Sequence, residues 1–134
     1  MSRKAFADTT VAAGKTQQQI EDMLRKHGID TLRWTSLPDR MVLEFRSEFG
    51  SFALSARYDL GDGRTDEANR RQVMRALHWY VKAKLDAVDF GLEDMMRAFM
   101  PYLVTAPGRI LIDDVNEAVE QRRLGADIPM LPSG

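Results

Sequence analysis

The stretch MVLEFRSEFGSFALSARY, residues 41–58, decides the fold. Apolar side chains fall on every second position on both sides of a short connection at residues 47–50, which is the pattern of strands that cover a core with one face. The apolar residues concerned are Met41, Leu43, Phe45, Phe52, Leu54, Ala56 and Tyr58. Because the connection is too short for a crossover, we expect the two strands to be antiparallel.

Toward the N-terminus, a third strand and a helix are predicted. Residues 31–35 are β-prone, and a turn at residues 37–40 separates them from the next strand. Before them, apolar residues at helical spacing predict a helix that stops at Gly28. We expect Thr16 and Gln19 to form a capping box at the start of this helix, in which each side chain accepts a hydrogen bond from a free backbone N–H.

Toward the C-terminus, the longest predicted element is a helix at residues 66–90. One continuous apolar face supports it, formed by Met74, Leu77, Val81, Leu85 and Val88. Four further residues widen that face, namely Ala76, Tyr80, Ala83 and Ala87. A face of this width indicates that more than one neighbouring element packs on the long helix.

The remainder of the chain alternates short elements. A second, shorter helix is predicted at residues 92–100, beyond the interruption at Gly91. Two extended segments around a Thr-Ala-Pro-Gly-Arg turn follow and suit a small hairpin. We expect Asp113 or Asp114 to cap a last helix that reaches Leu124.

Strands grouped together and helices grouped together indicate an α+β fold. We predict a small antiparallel three-stranded sheet packed on a long helix, with additional short C-terminal helices. At 134 residues the chain has the size of one domain. We expect a flexible N-terminal lead at residues 1–14, a single α+β domain at residues 15–125 and an extended C-terminal tail at residues 126–134.

Composition excludes several classes of site. The chain has 19 Lys and Arg against 20 Asp and Glu. Its net charge is therefore neither strongly basic, as in many nucleic-acid-binding domains, nor strongly acidic, as in proteins that mimic DNA. Cysteine is absent, which excludes disulfides and cysteine-ligated zinc, and with only His27 and His78 a histidine-rich metal site is not expected. We see neither a signal peptide nor a stretch apolar enough to span a membrane, so we expect the cytoplasm of a bacterial cell.

Catalytic motifs fail on inspection. Gly14-Lys15-Thr16 resembles the end of a phosphate-binding loop, but Thr9 stands where that loop needs its first glycine. The loop at residues 59–63 can be aligned with a calcium loop at its invariant glycine, Gly63. Tyr58 and Leu60 then stand where a calcium loop needs oxygen ligands. Paired carboxylates at residues 93–94 and 113–114 suit helix starts, and no activated nucleophile is apparent. We therefore predict a protein that is not an enzyme and that has no cofactor or metal.

A basic stripe is the most suggestive binding feature. Arg71, Arg75, His78 and Lys82 fall within a narrow arc of the long helix, and Trp79 borders them. Such a ridge would grip phosphates while the indole stacks on a base, which makes these five residues the candidate partner or nucleic-acid site. The alternative is an ordinary solvated helix face, since Asp86 and Asp89 reverse the charge further along it.

Three other features admit a functional interpretation. Lys84 projects near the apolar side of the long helix, where its stem would snorkel to water or its ammonium would pair with Glu93. The methionine-rich segment at residues 95–100 would fill the core or form an adaptable binding surface. The apolar tail residues Ile128, Met130 and Leu131 would dock on a partner or fold back on the domain.

Two segments, KTQQQIEDMLRKHGIDTLRW at residues 15–34 and RALHWYVKAKLDAVDFGLEDMMRAFMPYLV at residues 75–104, resemble a family of small uncharacterised proteins encoded by bacteriophages and prophages. The second segment contains a VKAKLDAV core, and the Met-Leu-Pro-Ser ending at residues 130–133 is also similar. The resemblance spans most of residues 15–134, although the region between the strands and the long helix is shorter here. It implies a bacterial cytoplasm during infection or from a prophage.

From these observations we predict an interaction protein of phage type that binds and inhibits or modulates a host or defence complex. The alternative function is a nucleic-acid-binding accessory factor in phage replication or recombination, acting through the basic stripe. The expected partner is a host or phage protein complex, with no membrane. A homodimer through the long or short helix is an additional assembly, although no heptad repeat defines its geometry.

Overall fold

The computed structural model describes residues 6, 9, 12–58, 66–121 and 130–132. These residues form an α+β fold, as predicted. The elements, in chain order, are α1 (Ala13–Lys26), β1 (Thr31–Leu37), β2 (Arg40–Ser47), β3 (Gly50–Arg57), α2 (Asp66–Asp89), α3 (Met95–Phe99), a 3-10 turn (Met100–Tyr102), β4 (Val104–Ala106), β5 (Arg109–Ile110) and α4 (Leu111–Glu120). The calcium-like loop, and most of the predicted lead and tail, lie outside the described residues.

The three-stranded sheet follows the predicted register. β2 lies in the centre and pairs antiparallel with both β1 and β3. Leu43 faces Leu54 and Phe45 faces Phe52, so the apolar positions of β2 and β3 share one side of the sheet. A slip by one residue would turn this entire set to solvent, which is why the alternation specifies the register.

Helices cover the apolar side of the sheet. Met74, Val81 and Leu85 of α2 are buried in the same cluster as Ile20 and Leu24 of α1. Two contacts, from Gln19 to Arg75 and from His27 to Asp89, follow the same order along both helices. We infer that α1 and α2 lie side by side and run in the same direction.

Three phenylalanines hold α3 to the sheet. The ring of Phe99 lies 5.2 Å from that of Phe45 and 6.1 Å from that of Phe52. The pair on the sheet is itself 5.4 Å apart. Edge-to-face and tilted arrangements of this kind are favourable for aromatic rings, so α3 needs only five residues to be anchored.

The start of α1 differs from the prediction. The helix begins at Ala13, and Thr16 lies inside it as a fully buried residue with its N–H bonded to the Ala12 carbonyl. The predicted capping box with Gln19 is therefore wrong. Thr16 occupies the same helix face as Ile20, and burial of that face places the threonine in the core instead of at the cap.

The C-terminal elements are shorter than predicted. α3 begins at Met95, because Asp94 caps it by accepting a hydrogen bond from the Arg97 N–H at 2.7 Å. The predicted hairpin is present as β4 and β5, and a bridge between Leu103 and Phe52 joins this region to β3. α4 starts at Leu111, two residues before Asp113 and three before Asp114, and the predicted end at Leu124 lies outside the described residues. Asp113 instead reaches back to accept the N–H of Ile110 at 3.1 Å.

Candidate functional site

The basic stripe lies on the side of α2 that adjoins α1. Arg75 donates a hydrogen bond to the Gln19 side chain at 2.5 Å, which ties the stripe to that helix. Arg71 pairs with Glu67 at 3.2 Å, and Lys82 pairs with Asp86 at 2.7 Å. Every cationic side chain of the stripe therefore already has an acceptor nearby, and an anionic ligand would compete with those acceptors.

His78 is the member of the stripe that does not face solvent. Its side chain is only 8% exposed. Burial lowers its pKa below the ordinary value of 6.5, and the charges of Arg75 and Lys82 lower it further. The imidazole is therefore neutral at physiological pH and adds no charge to the stripe.

Trp79 and its two cationic neighbours form the exposed part of the stripe. The indole is 44% exposed. The guanidinium of Arg75 lies 5.8 Å from its ring centre, and the ammonium of Lys82 lies 5.9 Å from it. Three of the five predicted site residues, Arg75, Trp79 and Lys82, thus form one exposed cluster. Arg71 lies one helical turn away, and His78 is buried. This cluster offers a flat surface with positive charge at its edges.

The other predicted motifs give no reactive centre. Gly14-Lys15-Thr16 belongs to α1, so no loop is present there to cradle a phosphate. The part of the chain that the structure describes contains no group of three or more histidine and acidic side chains that would hold a metal ion. Across that same part of the chain, no helix is both long and apolar enough to cross a membrane.

Lys84 has the acidic partner that one of the two alternatives predicted. Its ammonium lies 3.6 Å from Glu93, across the junction between α2 and α3. It also lies 5.8 Å from the ring centre of Tyr80, whose hydroxyl is 2.9 Å from that of Tyr102. Burial raises the pKa of Tyr80, and the hydrogen bond to Tyr102 raises it further. A phenol in this state keeps its proton and serves as a hydrogen-bonding group, not as a base.

The methionine-rich segment contributes to the core. Met95 and Met96 are half-buried against the core cluster, and Phe99 is completely buried. A binding surface that includes Phe99 is therefore wrong. Met100, at the end of the segment, is exposed, as are Phe90 and Leu92 in the turn that leads to α3.

An open groove lies between β3 and α2, and the sequence did not predict it. We call it the β3–α2 groove, and its volume is about 550 Å³. Its lining residues are Leu54, Ser55, Ala56, Arg57, Gln72, Val73, Ala76, Leu77, Tyr80 and Tyr102. Arg57 is the only charged side chain among them, and it lies 3.7 Å from the carboxylate of Asp39, outside the lining. The groove is therefore apolar along most of its length and cationic at one end.

One wall of the groove is the outer edge of the sheet. A two-residue turn joins Ser47 to Gly50, so this pair is hydrogen-bonded and every second pair after it repeats the pattern. The intervening residues of β3 direct their backbone groups away from β2, namely Ser51, Ala53, Ser55 and Arg57. Leu103, which forms a bridge with Phe52, lies beside Ser51 and Ala53. Within the described residues, no strand lies beside Ser55 and Arg57.

A signal for this groove existed in the sequence. Ala76 and Tyr80 widen the apolar face of α2, and both are exposed in the structure because they line the groove. The sequence did not show which side of α2 would stay uncovered. That depends on where the 3-10 turn places its last residue, Tyr102.

The chain was compared with protein-family models, with curated proteins and with solved structures, and none of the three comparisons finds a match. The resemblance to phage-encoded proteins therefore stays a prediction.

Proposed function

We propose that this chain is a non-enzymatic interaction protein of phage type that binds and inhibits or modulates a host or defence complex. The observation that supports the proposal is the β3–α2 groove. It combines an unpaired strand edge, an apolar wall and a single cation, which are features that receive an extended segment of another protein. The backbone edge gives affinity, and the side-chain wall selects the sequence.

The lining of the groove supports binding over catalysis. Its ten residues include no carboxylate, histidine, lysine or cysteine. The two phenols at its end are Tyr80 and Tyr102, which hydrogen-bond to each other. Proton transfer in enzymes most often uses a histidine, carboxylate, lysine or cysteine side chain, and the lining has none of these.

Affinity capture from a nuclease-treated bacterial lysate tests the proposal. The wild type is compared with Ala76→Glu, which places a charge in the groove, and with Ala83→Glu, which makes the same change at another exposed alanine of α2 outside the groove lining. Glutamate suits an exposed helix position, so neither variant should unfold. We expect the wild type and Ala83→Glu to retain one partner complex that Ala76→Glu loses. Equal capture by all three, or no capture by any, would contradict the proposal.

One observation favours a second candidate, the nucleic-acid-binding accessory factor. It is the exposed indole of Trp79 between Arg75 and Lys82. This function predicts affinity for a single-stranded oligonucleotide that falls steeply with salt, because the cations displace counterions from the phosphates. Fluorescence anisotropy would show the loss in Arg75→Glu and its retention in Arg46→Glu, an exposed arginine on the sheet. Binding that is undetectable, or independent of salt, would rule this candidate out.

A further inference from the structure

Two complementary surfaces of this chain remain uncovered in a single copy. One is the β3–α2 groove. The other is the tail, where Met130 is 94% exposed and Leu131 is 92% exposed. Large apolar side chains exposed to this degree favour burial against an apolar surface. A single chain therefore carries both exposed apolar side chains in its tail and an open apolar groove beside an unpaired strand edge.

We propose that the tail of one copy docks in the β3–α2 groove of a second copy, where it adds a strand to β3 and must be displaced by any other partner. The inference rests on the groove of the proposed function and adds a resident occupant that regulates it. Exchange of identical segments between two copies closes a twofold assembly with two identical contacts.

Charge and length agree with this occupant. Arg57 is the only charged residue in the groove lining, and its exposed pair with Asp39 is long, 3.7 Å, which leaves the guanidinium able to take a second carboxylate. Asp127 is the acidic residue that precedes Met130 by three positions. The groove wall from Leu54 to Arg57 also spans three residue steps, about 10 Å of strand at ~3.3 Å per residue. An antiparallel strand with Asp127 opposite Arg57 therefore places Met130 opposite Leu54.

This register assigns each tail residue to a face of the sheet. Directly opposed residues point to the same face, so Met130 joins Leu54 on the side that meets α2. Leu131, its neighbour, would fall opposite Ala53, whose outer edge Leu103 already covers, so the added strand ends at Met130 and Leu131 stays in solvent. Pro129 falls opposite Ser55 and cannot donate a hydrogen bond, which an exposed edge tolerates because water reaches the Ser55 carbonyl. Met130 and Leu131, which are almost equally exposed in one copy, are thus buried to different extents in the dimer.

Sedimentation of the full chain from micromolar to millimolar concentration tests the inference. We expect a monomer–dimer equilibrium in the wild type. Met130→Asp should weaken it at least about tenfold by placing a charge in the apolar groove, and Ala76→Glu should do the same. Leu131→Asp and Ala83→Glu should dimerise like the wild type. Because Met130 and Leu131 are almost wholly exposed in one copy, neither tail substitution should disturb the fold.

Hydrogen exchange gives a second measurement. The backbone amides of Ser55 and Arg57 should gain protection with concentration in the wild type and not in Met130→Asp. The inference is overturned if the chain is monomeric throughout, if Met130→Asp dimerises normally, or if Leu131→Asp is as disruptive as Met130→Asp. A monomer whose partner capture is still lost in Ala76→Glu would overturn this inference and leave the proposed function standing. A chain that dimerises with the expected variant pattern but captures no partner would support this inference and contradict the proposed function.

Discussion

His78 illustrates how burial changes the chemistry of a residue on a charged helix face. Trp79, the next residue, is exposed, whereas the imidazole is buried and its pKa lies below 6.5. A charged neighbour on the same face adds to this effect, because both Arg75 and Lys82 disfavour the imidazolium. The histidine is therefore better understood as a neutral packing residue than as a ligand for phosphate.

The lowered pKa of His78 predicts a pH-dependent stability. Below pH 6.5 the imidazole of His78 is protonated in the unfolded chain but stays neutral in the folded chain. The free energy of unfolding should therefore fall as the pH falls from 7 toward 5. Urea unfolding at the two pH values measures this difference. His78→Gln should reduce the difference, whereas His27→Gln, at the other histidine, should leave this contribution in place. An unchanged difference in His78→Gln would show that the assigned cause is wrong.

Two glycines of the α1 region should respond in opposite directions to alanine. Gly28 ends the helix at a φ of +85°, which an L side chain adopts only at a cost, so Gly28→Ala should lose about 1 kcal/mol. Gly14 lies within the helix and has open space around its Cα, so Gly14→Ala should gain about 0.5 kcal/mol. Chemical denaturation of both variants measures the changes, and a change of the same sign in both would contradict this account.

At the scale of elements, α3 shows how one buried aromatic side chain can be the main anchor of a very short helix. Phe99 is fully buried between two aromatic rings of the sheet, whereas Phe90 at the preceding turn is 81% exposed. Phe99→Ala should therefore cost about 3–5 kcal/mol, and Phe90→Ala should change stability by less than about 0.5 kcal/mol. Thermal and urea unfolding of the pair test this contrast. Similar losses in both variants would mean that the aromatic cluster is not what anchors α3.

The elements also show what the sequence could predict. The sheet was predictable because period-two burial at Met41, Leu43 and Phe45 has one structural solution, and the presence of a long helix at α2 followed from its apolar face. Helix starts were less predictable, because Thr16 suits both a cap and a small buried position, and packing against the core decides between them. Asp113 is likewise acidic at a helix start without being the cap.

The candidate sites also differ in how far the sequence could predict them. Charge spacing along α2 was sufficient to bring Arg75, Trp79 and Lys82 together, since residues three and four apart share a helix face. The burial of His78 depends on tertiary packing, which spacing does not encode. The β3–α2 groove depends on three separate elements, since Tyr102 reaches it from the 3-10 turn. Such a site is set by topology and has no local sequence pattern.

At the scale of the whole molecule, the described chain consists of a well-packed body and a lightly attached periphery. The body is the sheet with α1, α2 and α3, which together supply the core cluster. The hairpin of β4 and β5 leads into α4, which contributes no buried residue. The attachments of α4 include ion pairs from Arg109 to Asp114 at 2.8 Å and to Glu117 at 3.1 Å.

This division predicts the order in which the molecule opens. Local unfolding needs little free energy where few apolar groups are buried, so the amides of α4 should exchange with solvent well before those of residues 74–85 in α2. Hydrogen exchange read by mass spectrometry measures this order. Arg109→Ala removes both ion pairs and should accelerate exchange in α4 without changing residues 74–85, whereas Arg33→Ala, which removes the pair with Glu44 on the sheet, should leave α4 unaffected. Exchange of α4 and α2 at one common rate would mean that the periphery opens only together with the body, as a single cooperative unit.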